Sequence, residues 1–245
     1  MKDSAKRNRP AGCIDNGIGK DCLWAALTEE EADRFNRKVI CREYTPGETI
    51  FLEGDPCKGL YFVKSGLVGV RKIDIEGQST LLRLASKGDT LGYRPFLAMQ
   101  PYRACAQVIE DARICFIDAG TVRTILHNNH ELGIEFLRCT ARALGEAEEQ
   151  LFKMAVLKVD TRVIHLLVLF HDQWGSDLED GSVNIRLPIT RDDMASMIGA
   201  HPDSVTRAIR HLESQGLMQV DGRSFRIKEF NLLAEQLHTD IAHYH

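Results

Sequence analysis

Polar and apolar positions change their period along the chain, and each change marks an element. Residues 1–22 carry no period: Pro10, Gly12, Gly17 and Gly19 interrupt scattered charge, so this is an N-terminal segment without regular structure. Thr28 followed by Glu31 reads as a capping box opening a helix to about Lys38. From Cys41 to about Ile117 short β-branched and apolar runs alternate with glycines: Thr49 to Phe51, Leu60 to Val63, Leu67 to Val70 and Thr80 to Leu84. Glycine-punctuated short strands predict an all-β roll or sandwich. Beyond Asp118 the glycines thin out, and the spacing predicts a short helix over 119–128 and a long one over 131–159. Leu137, Leu144 and Leu151 repeat one heptad apart on the long helix, with Ile134 beside them, a pattern suited to a coiled-coil dimer seam. The other reading of that stripe is packing against the helix's own β domain.

Residues 160–174 form a further apolar helix, and Val183 to Leu187 alternate like a strand. Thr190 then caps a helix beginning at Arg191, whose first turn holds Asp192 and Asp193 where the helix dipole favours them. Gly199 ends it and Pro202 starts another. The second helix turns Val205, Ala208, Ile209 and Leu212 inward and leaves Asp203, Ser204, Thr206, Arg207 and Arg210 outside. Two short helices joined at a glycine form a helix-turn-helix. Leu217 to Val220 and Ser224 to Ile227 flank Asp221-Gly222, a hairpin turn, which supplies a wing. A plain helical bundle ending in a hairpin is the alternative. Arginine has the paired donors that match guanine O6 and N7, and a carboxylate accepts from the cytosine amino group. Arg207 and Asp203 are therefore the candidate base readers. Thr206 suits a thymine methyl or a phosphate, and Arg210, one turn on, a phosphate.

The domain organisation follows: 1–22 as an N-terminal segment, 23–130 as a β-roll sensor domain, 131–159 as a dimerisation helix and 160–245 as a winged helix-turn-helix domain. The fold class is α+β.

Composition adjusts this picture only slightly. The chain has 245 residues, 44% of them hydrophobic, enough for two domains with full cores. Its net charge of −4 and pI near 6.1 do not announce nucleic acid, but an acidic domain can mask a basic patch on its neighbour. No apolar run is long enough to span a bilayer, and the basic start has no apolar segment behind it, so a cytoplasmic protein without membrane attachment is expected. The seven cysteines are odd in number and irregularly spaced, which in a reducing compartment points to packing, metal ligation or redox sensing. No glycine-rich phosphate loop, nucleophile elbow or zinc-protease motif is present, so no enzyme is expected.

Pro46-Gly47-Glu48, Gly54-Asp55, Ser65-Gly66 and Gly88-Asp89-Thr90-Leu91-Gly92, followed by the long helix and the winged motif, resemble the CRP/FNR superfamily over about residues 22–230. Asp203-Ser204-Val205-Thr206-Arg207 is similar to that family's Glu-x-x-Ser/Gly-Arg recognition stretch, with Asp for Glu and Thr for Ser. The resemblance implies a homodimeric transcription regulator on a palindromic operator in double-stranded DNA, with RNA polymerase as a further partner. Cyclic-AMP binders of the family place a glutamate after the glycine at Gly92 and an arginine some ten residues on. Here Tyr93 stands for the glutamate and Arg103 precedes Ala104-Cys105, so the resemblance does not carry cyclic-nucleotide binding.

FNR-like members hold an oxygen-labile [4Fe–4S] cluster on three N-terminal cysteines and one at the end of the β domain. Cys13 and Cys22 match the first and last N-terminal positions, and Cys115 matches the β-domain position. Asn16 stands at the middle position with Asp15 beside it. The resemblance thus implies cluster ligands at Cys13, Cys22 and Cys115 and makes Asp15 the candidate fourth, with Cys41, Cys57 and Cys105 as alternatives. A cysteine thiol switch without a cluster, a haem on one of His127, His130, His165, His171 or His201, and a small ligand remain open as the signal, and so does a chain holding no cofactor. From another class, a sensory β-roll that binds a protein and no DNA is the rival. Glu146, Glu148 and Glu149 crowd the long helix, where facing copies would repel across a dyad.

Overall fold

The computed structural model describes residues 23–242. The chain divides into two compact units. Of the described residues, one comprises 23–72 and 84–142, the other 73–83 and 143–242.

The first unit opens with a 3-10 turn, Leu23–Ala26, and helix α1, Glu29–Lys38. The Thr28 capping box forms as the sequence predicts: Thr28 Oγ1 accepts from Glu31 N at 3.3 Å, and Thr28 N donates back to the Glu31 carboxylate at 2.9 Å. Strands β1 (Ile40–Tyr44), β2 (Thr49–Phe51), β3 (Gly59–Ile73), β4 (Ser79–Ala85) and β5 (Thr90–Leu91) follow. Helix α2 (Tyr93–Leu97), strand β6 (Cys105–Asp118) and helix α3 (Ala119–Asn128) complete the roll. The six-stranded sheet runs β1-β6-β3-β4, with β2 also on β6 and β5 also on β3. The two strands expected either side of Gly66 are a single strand. The ladder shifts register on both sides of Ser65, and Gly66 takes φ +87° there, so the glycine marks a bulge and not a turn. Leu60, Phe62, Cys115 and Ile117 from alternate positions of β3 and β6 meet Trp24, Phe35, Leu132 and Phe136 in one buried cluster.

Helix α4, His130–Val156, begins one residue before and ends three before the expected bounds. Helix α5 spans Val159–Trp174. Strands β7 (Gly175–Asp177) and β8 (Val183–Arg186) precede helices α6 (Arg191–Ile198) and α7 (Pro202–Ser214), strands β9 (Met218–Asp221) and β10 (Ser224–Ile227), and helix α8 (Phe230–Ala242). The second sheet has the order β7-β8-β10-β9. Strand β7 falls between the helix predicted over 160–174 and the strand predicted from Val183. It pairs with β8 because Gly175 ends α5 with an extended φ of −84° and ψ of 150°, turning the chain straight into a ladder.

Candidate nucleic-acid interface and sensor domain

The helix-turn-helix is built by local chemistry. Thr190 and Asp193 cap α6 reciprocally, Thr190 Oγ1 accepting from Asp193 N and Thr190 N donating to Asp193 Oδ2, both at 3.1 Å. Gly199 ends α6 in the left-handed conformation, φ 60° and ψ 48°, and Ala200 N reaches back to Ala195 O at 2.9 Å, closing the helix end. His201 caps α7, its Nδ1 accepting from Asp203 N at 3.3 Å, and Pro202 occupies the first turn where its missing N–H is not needed. Val205, Ala208, Ile209 and Leu212 are buried, and Asp203, Arg207 and Arg210 are exposed on the opposite face.

The exposed face is partly prearranged. Arg207 Nη2 donates to Ser204 Oγ at 3.0 Å, which points the guanidinium toward the N-terminal end of α7, where a major-groove helix meets base edges. Thr206 spends its hydroxyl proton on Pro202 O at 3.1 Å, leaving its methyl and oxygen lone pairs outward. Thr206 is thereby suited to a thymine methyl and less to donating toward a phosphate. Arg210 is exposed one turn further on.

The wing adds residues that sequence reasoning missed. Arg191, the first residue of α6, donates to Gly222 O at the wing tip at 3.2 Å and stacks its guanidinium 4.8 Å above the Phe225 ring. Burial pulls its pKa below the ordinary arginine value. Arg223 is exposed at the tip and donates to Pro188 O at 3.4 Å. Arg223, directly after the Asp221-Gly222 turn, was the available signal, since basic side chains beside a DNA-binding element serve phosphate contacts.

In the first unit, the space after Gly92 is filled. Gly92 takes φ +83°, and a Cβ there would lie 2.9 Å from Tyr102 Cε1. Tyr102 is buried, donates its hydroxyl to Gly59 O at 2.8 Å and stacks on Phe51 with centroids 4.1 Å apart. That burial pushes its phenol pKa up. Tyr93 is buried as well, while Arg103 lies at the surface and donates to Gln100 Oε1 at 3.3 Å.

The cysteines divide into several fates. Cys13, Asp15 and Cys22 lie outside the described residues. Cys115, expected as a thiolate ligand, is joined by a disulfide to Cys41, its directly opposed partner on β1. A cystine sulfur offers no thiolate, so ligation by Cys115 requires that bond to be reduced. Cys105 is buried and accepts from Glu53 N at 3.4 Å. Cys57 donates weakly to Gly59 O and Gly92 O, at 3.6 and 3.8 Å. Among the described residues no group of three or more His, Cys, Asp or Glu side chains is placed to hold a metal ion. Of the histidines considered for haem, His165 Nε2 lies 2.9 Å from Lys153 Nζ, His171 stacks on Phe230, and His201 caps α7.

On α4 the heptad stripe is outward. Leu137, Leu144 and Leu151 are 68%, 60% and 67% exposed and Ile134 39%, an apolar row left uncovered by the described residues. Of the acidic group, Glu149 pairs with Lys153 on the same helix at 3.2 Å.

A β-roll sensor fold joined to a winged helix-turn-helix defines a DNA-binding transcription regulator. The comparisons agree. Residues 41–129 match the cyclic nucleotide-binding domain and residues 161–236 the Crp-like helix-turn-helix domain. The chain is 25% identical over 194 residues, 79% of its length and 86% of the other's, to the CRP-like cAMP-activated global transcriptional regulator of Mycobacterium tuberculosis. It is 23% identical over 237 residues, 94% of each chain, to electron transport regulator A of Shewanella oneidensis. Its fold is similar to that of FixK2 from Bradyrhizobium japonicum, with a TM-score of 0.67 and 21% identity over 80% of this chain and 96% of that one. The chain belongs to the CRP/FNR family of transcription regulators, which bind DNA and typically act as dimers. No described helix is long and apolar enough to cross a membrane.

Proposed function

We propose that this regulator works as a homodimer on a palindromic duplex, with RNA polymerase as the partner it serves, and that its signal is the oxidation state of Cys115. The dimer would close along Leu137, Leu144 and Leu151 of α4. Each protomer would place α7 in a major groove, with Arg207 and Asp203 over base edges and Arg191 and Arg223 near the phosphates.

The observation that carries the signal assignment is the cystine between Cys41 and Cys115. Cys115 sits in the same buried cluster as Trp24 and as Leu132 and Phe136 of α4. A dithiol reductant would give up two electrons and two protons, break the S–S bond and leave two thiols. Two non-bonded sulfurs need more room than two bonded ones, and a close-packed core does not supply it without movement. Strand β1, or the aromatic side chains between the disulfide and α4, would therefore shift on reduction. In a reducing compartment such a bond persists only under oxidation, which suits a sensor.

The [4Fe–4S] reading rests on the spacing of Cys13, Cys22 and Cys115, with Asp15 as the fourth donor. It shares Cys115 with the thiol reading, so the two states exclude one another on a single chain. A cluster would supply an oxygen-labile centre that releases its ligands on oxidation.

The test is an anaerobic purification with iron, sulfide and free-thiol analysis, followed by DNA-binding measurements before and after oxidation. Iron-free protein that gains two thiols on reduction, and changes its DNA affinity in step, supports the thiol switch. Loss of that response in Cys41→Ser is expected on the same reading. About four irons and four sulfides per chain, bleaching in air, would support the cluster instead. A DNA affinity indifferent to reduction, oxidation and iron would reject both.

A further inference from the structure

The last three carbonyls before the helix-turn-helix turn are capped by side chains from other helices. Gln150 of α4 donates its amide to Met197 O at 2.6 Å. Arg162 of α5 donates through one guanidinium nitrogen to Ile198 O at 2.6 Å and Gly199 O at 3.1 Å. A helix C-terminus is the negative end of its dipole and leaves its carbonyls without partners inside the helix. A cation held there gains from both effects. Burial lowers the pKa of Arg162 from its ordinary value, so the charge is kept in a partly dry place by these carbonyls.

The glycine at the turn shows how closely α4 approaches. A Cβ on Gly199 would come within 2.6 Å of Met154 Sδ, so Met154 rests against a bare α-carbon. Gln150 and Met154 are four residues apart and share one face of α4. That face adjoins the one bearing the exposed Leu144 and Leu151. A second attachment lies at the far end of the recognition helix, where His211 Nδ1 stands 2.6 Å from Asp160 Oδ2 in the first turn of α5. A helix of 13 residues held near both ends cannot pivot on its own.

We infer that Gln150, Met154 and Arg162 are positioning residues that fix the recognition helix to the C-terminal half of α4 and thereby set the spacing of the DNA half-sites. The inference rests on the proposal that α4 forms the dimer seam through Leu144 and Leu151. Given that seam, the rigid path from one recognition helix to its partner runs along α4, through the clamp, to α7. One base pair is about 3.4 Å of duplex axis, so a clamp that yields by a few ångströms loses its ability to tell one spacing from the next. None of the three side chains needs to touch DNA for this.

The test uses the full chain and a palindromic duplex selected by the wild-type protein from random DNA. Affinities are measured by fluorescence anisotropy for that duplex, for versions with half-sites one base pair closer or further apart, and for a single half-site. Wild-type protein should prefer the selected spacing sharply. Gln150→Ala should reduce that preference about 3- to 10-fold, and Arg162→Ala about tenfold or more, with little change on the single half-site and an unchanged dimer mass. Arg162→Lys, which keeps the cation as a single ammonium on a different stem, should restore part of the preference. Gln150→Ala removes one partly buried neutral amide and guards against the case where Arg162→Ala does not fold. Weakening by the same factor on every duplex, half-site included, would reduce the clamp to a stabilising contact and overturn the inference. So would an unchanged spacing preference in both alanine variants. A wild-type protein that is monomeric, or indifferent to spacing, would sink the dimer-seam reading itself and this inference with it.

Discussion

The indole nitrogen of Trp24 donates to Thr90 Oγ1 at 3.0 Å, joining residues 66 positions apart in sequence. Trp24 is 1% exposed and packs its ring 4.7 Å from Phe35 and edge-on 5.8 Å from Phe136 of α4. The bond lies two positions beyond Cys22 and ties the start of the described chain to strand β5 and to α4. Trp24→Phe keeps most of the ring contact but leaves the buried Thr90 hydroxyl without its donor, at a cost of about 1–2 kcal/mol. Trp24→Ala empties the site and costs about 3–5 kcal/mol. Urea unfolding of the two variants checks the order, and equal losses would mean that the ring adds nothing beyond its hydrogen bond.

Arg207→Ala is expected to lose about 1–3 kcal/mol of discrimination at one base pair of each half-site. Ser204→Ala removes the oxygen that orients the guanidinium and should cost about 0.5–1.5 kcal/mol at the same base pair. Anisotropy titrations with singly substituted duplexes separate these effects. Uniform weakening on every duplex would assign Arg207 to phosphate instead of base.

Leu144→Glu combined with Leu151→Glu is expected to yield a monomer in sedimentation at concentrations where the wild type is dimeric. Each buried leucine contributes about 1.5–3 kcal/mol to an apolar seam, so the paired change raises the dissociation constant by orders of magnitude. Because both side chains are exposed in the single chain, the melting of the monomer itself should barely change. Unaltered dimerisation would place the seam elsewhere.

Acid acts on the link between Asp180 and β10. The Asp180 carboxylate accepts from the Ser182 hydroxyl and backbone N–H and from Arg226, and the serine bonds lead in holding its pKa down, to about 2 from an ordinary 3.8. A depressed carboxylate contributes stability above its unfolded value and loses that contribution as the pH falls through its folded value. The loop before β8 should therefore stay tied to Arg226 from neutral pH down past 3.8 and release towards about 2. Side-chain NMR titration should place the Asp180 midpoint near the lower value, and a midpoint at the ordinary one would remove Ser182 and Arg226 as its partners. Asp180→Asn should loosen the loop at neutral pH.

Much of the helix-turn-helix is legible in the sequence. Thr190, Gly199, Pro202 and the Asp221-Gly222 turn act within a few residues of themselves, through caps and backbone conformations that the side chain dictates. The apolar period of α7 likewise sorted Val205 and Ala208 from Arg207 and Arg210. Gly66 misled, because a positive φ suits a turn and a bulge equally, and only the pairing of β3 with β6 distinguishes them. Helices α2 and α8 and strand β7 went unread, being short or lacking a clear period.

The amino-acid order by itself determined the longer helices before the winged motif, that motif and the outward face of its second helix, since each depends on interactions between near neighbours. Only the tertiary structure decided that Cys41 faces Cys115, that Tyr102 closes the space beside Gly92, and that Gln150 and Arg162 cap the carbonyls of the turn. Those contacts come from strand register and helix crossing, and a shift of one residue in a ladder sends every side chain to the opposite face. Periodicity along the chain carries the face of each element, but not which partner that face will meet.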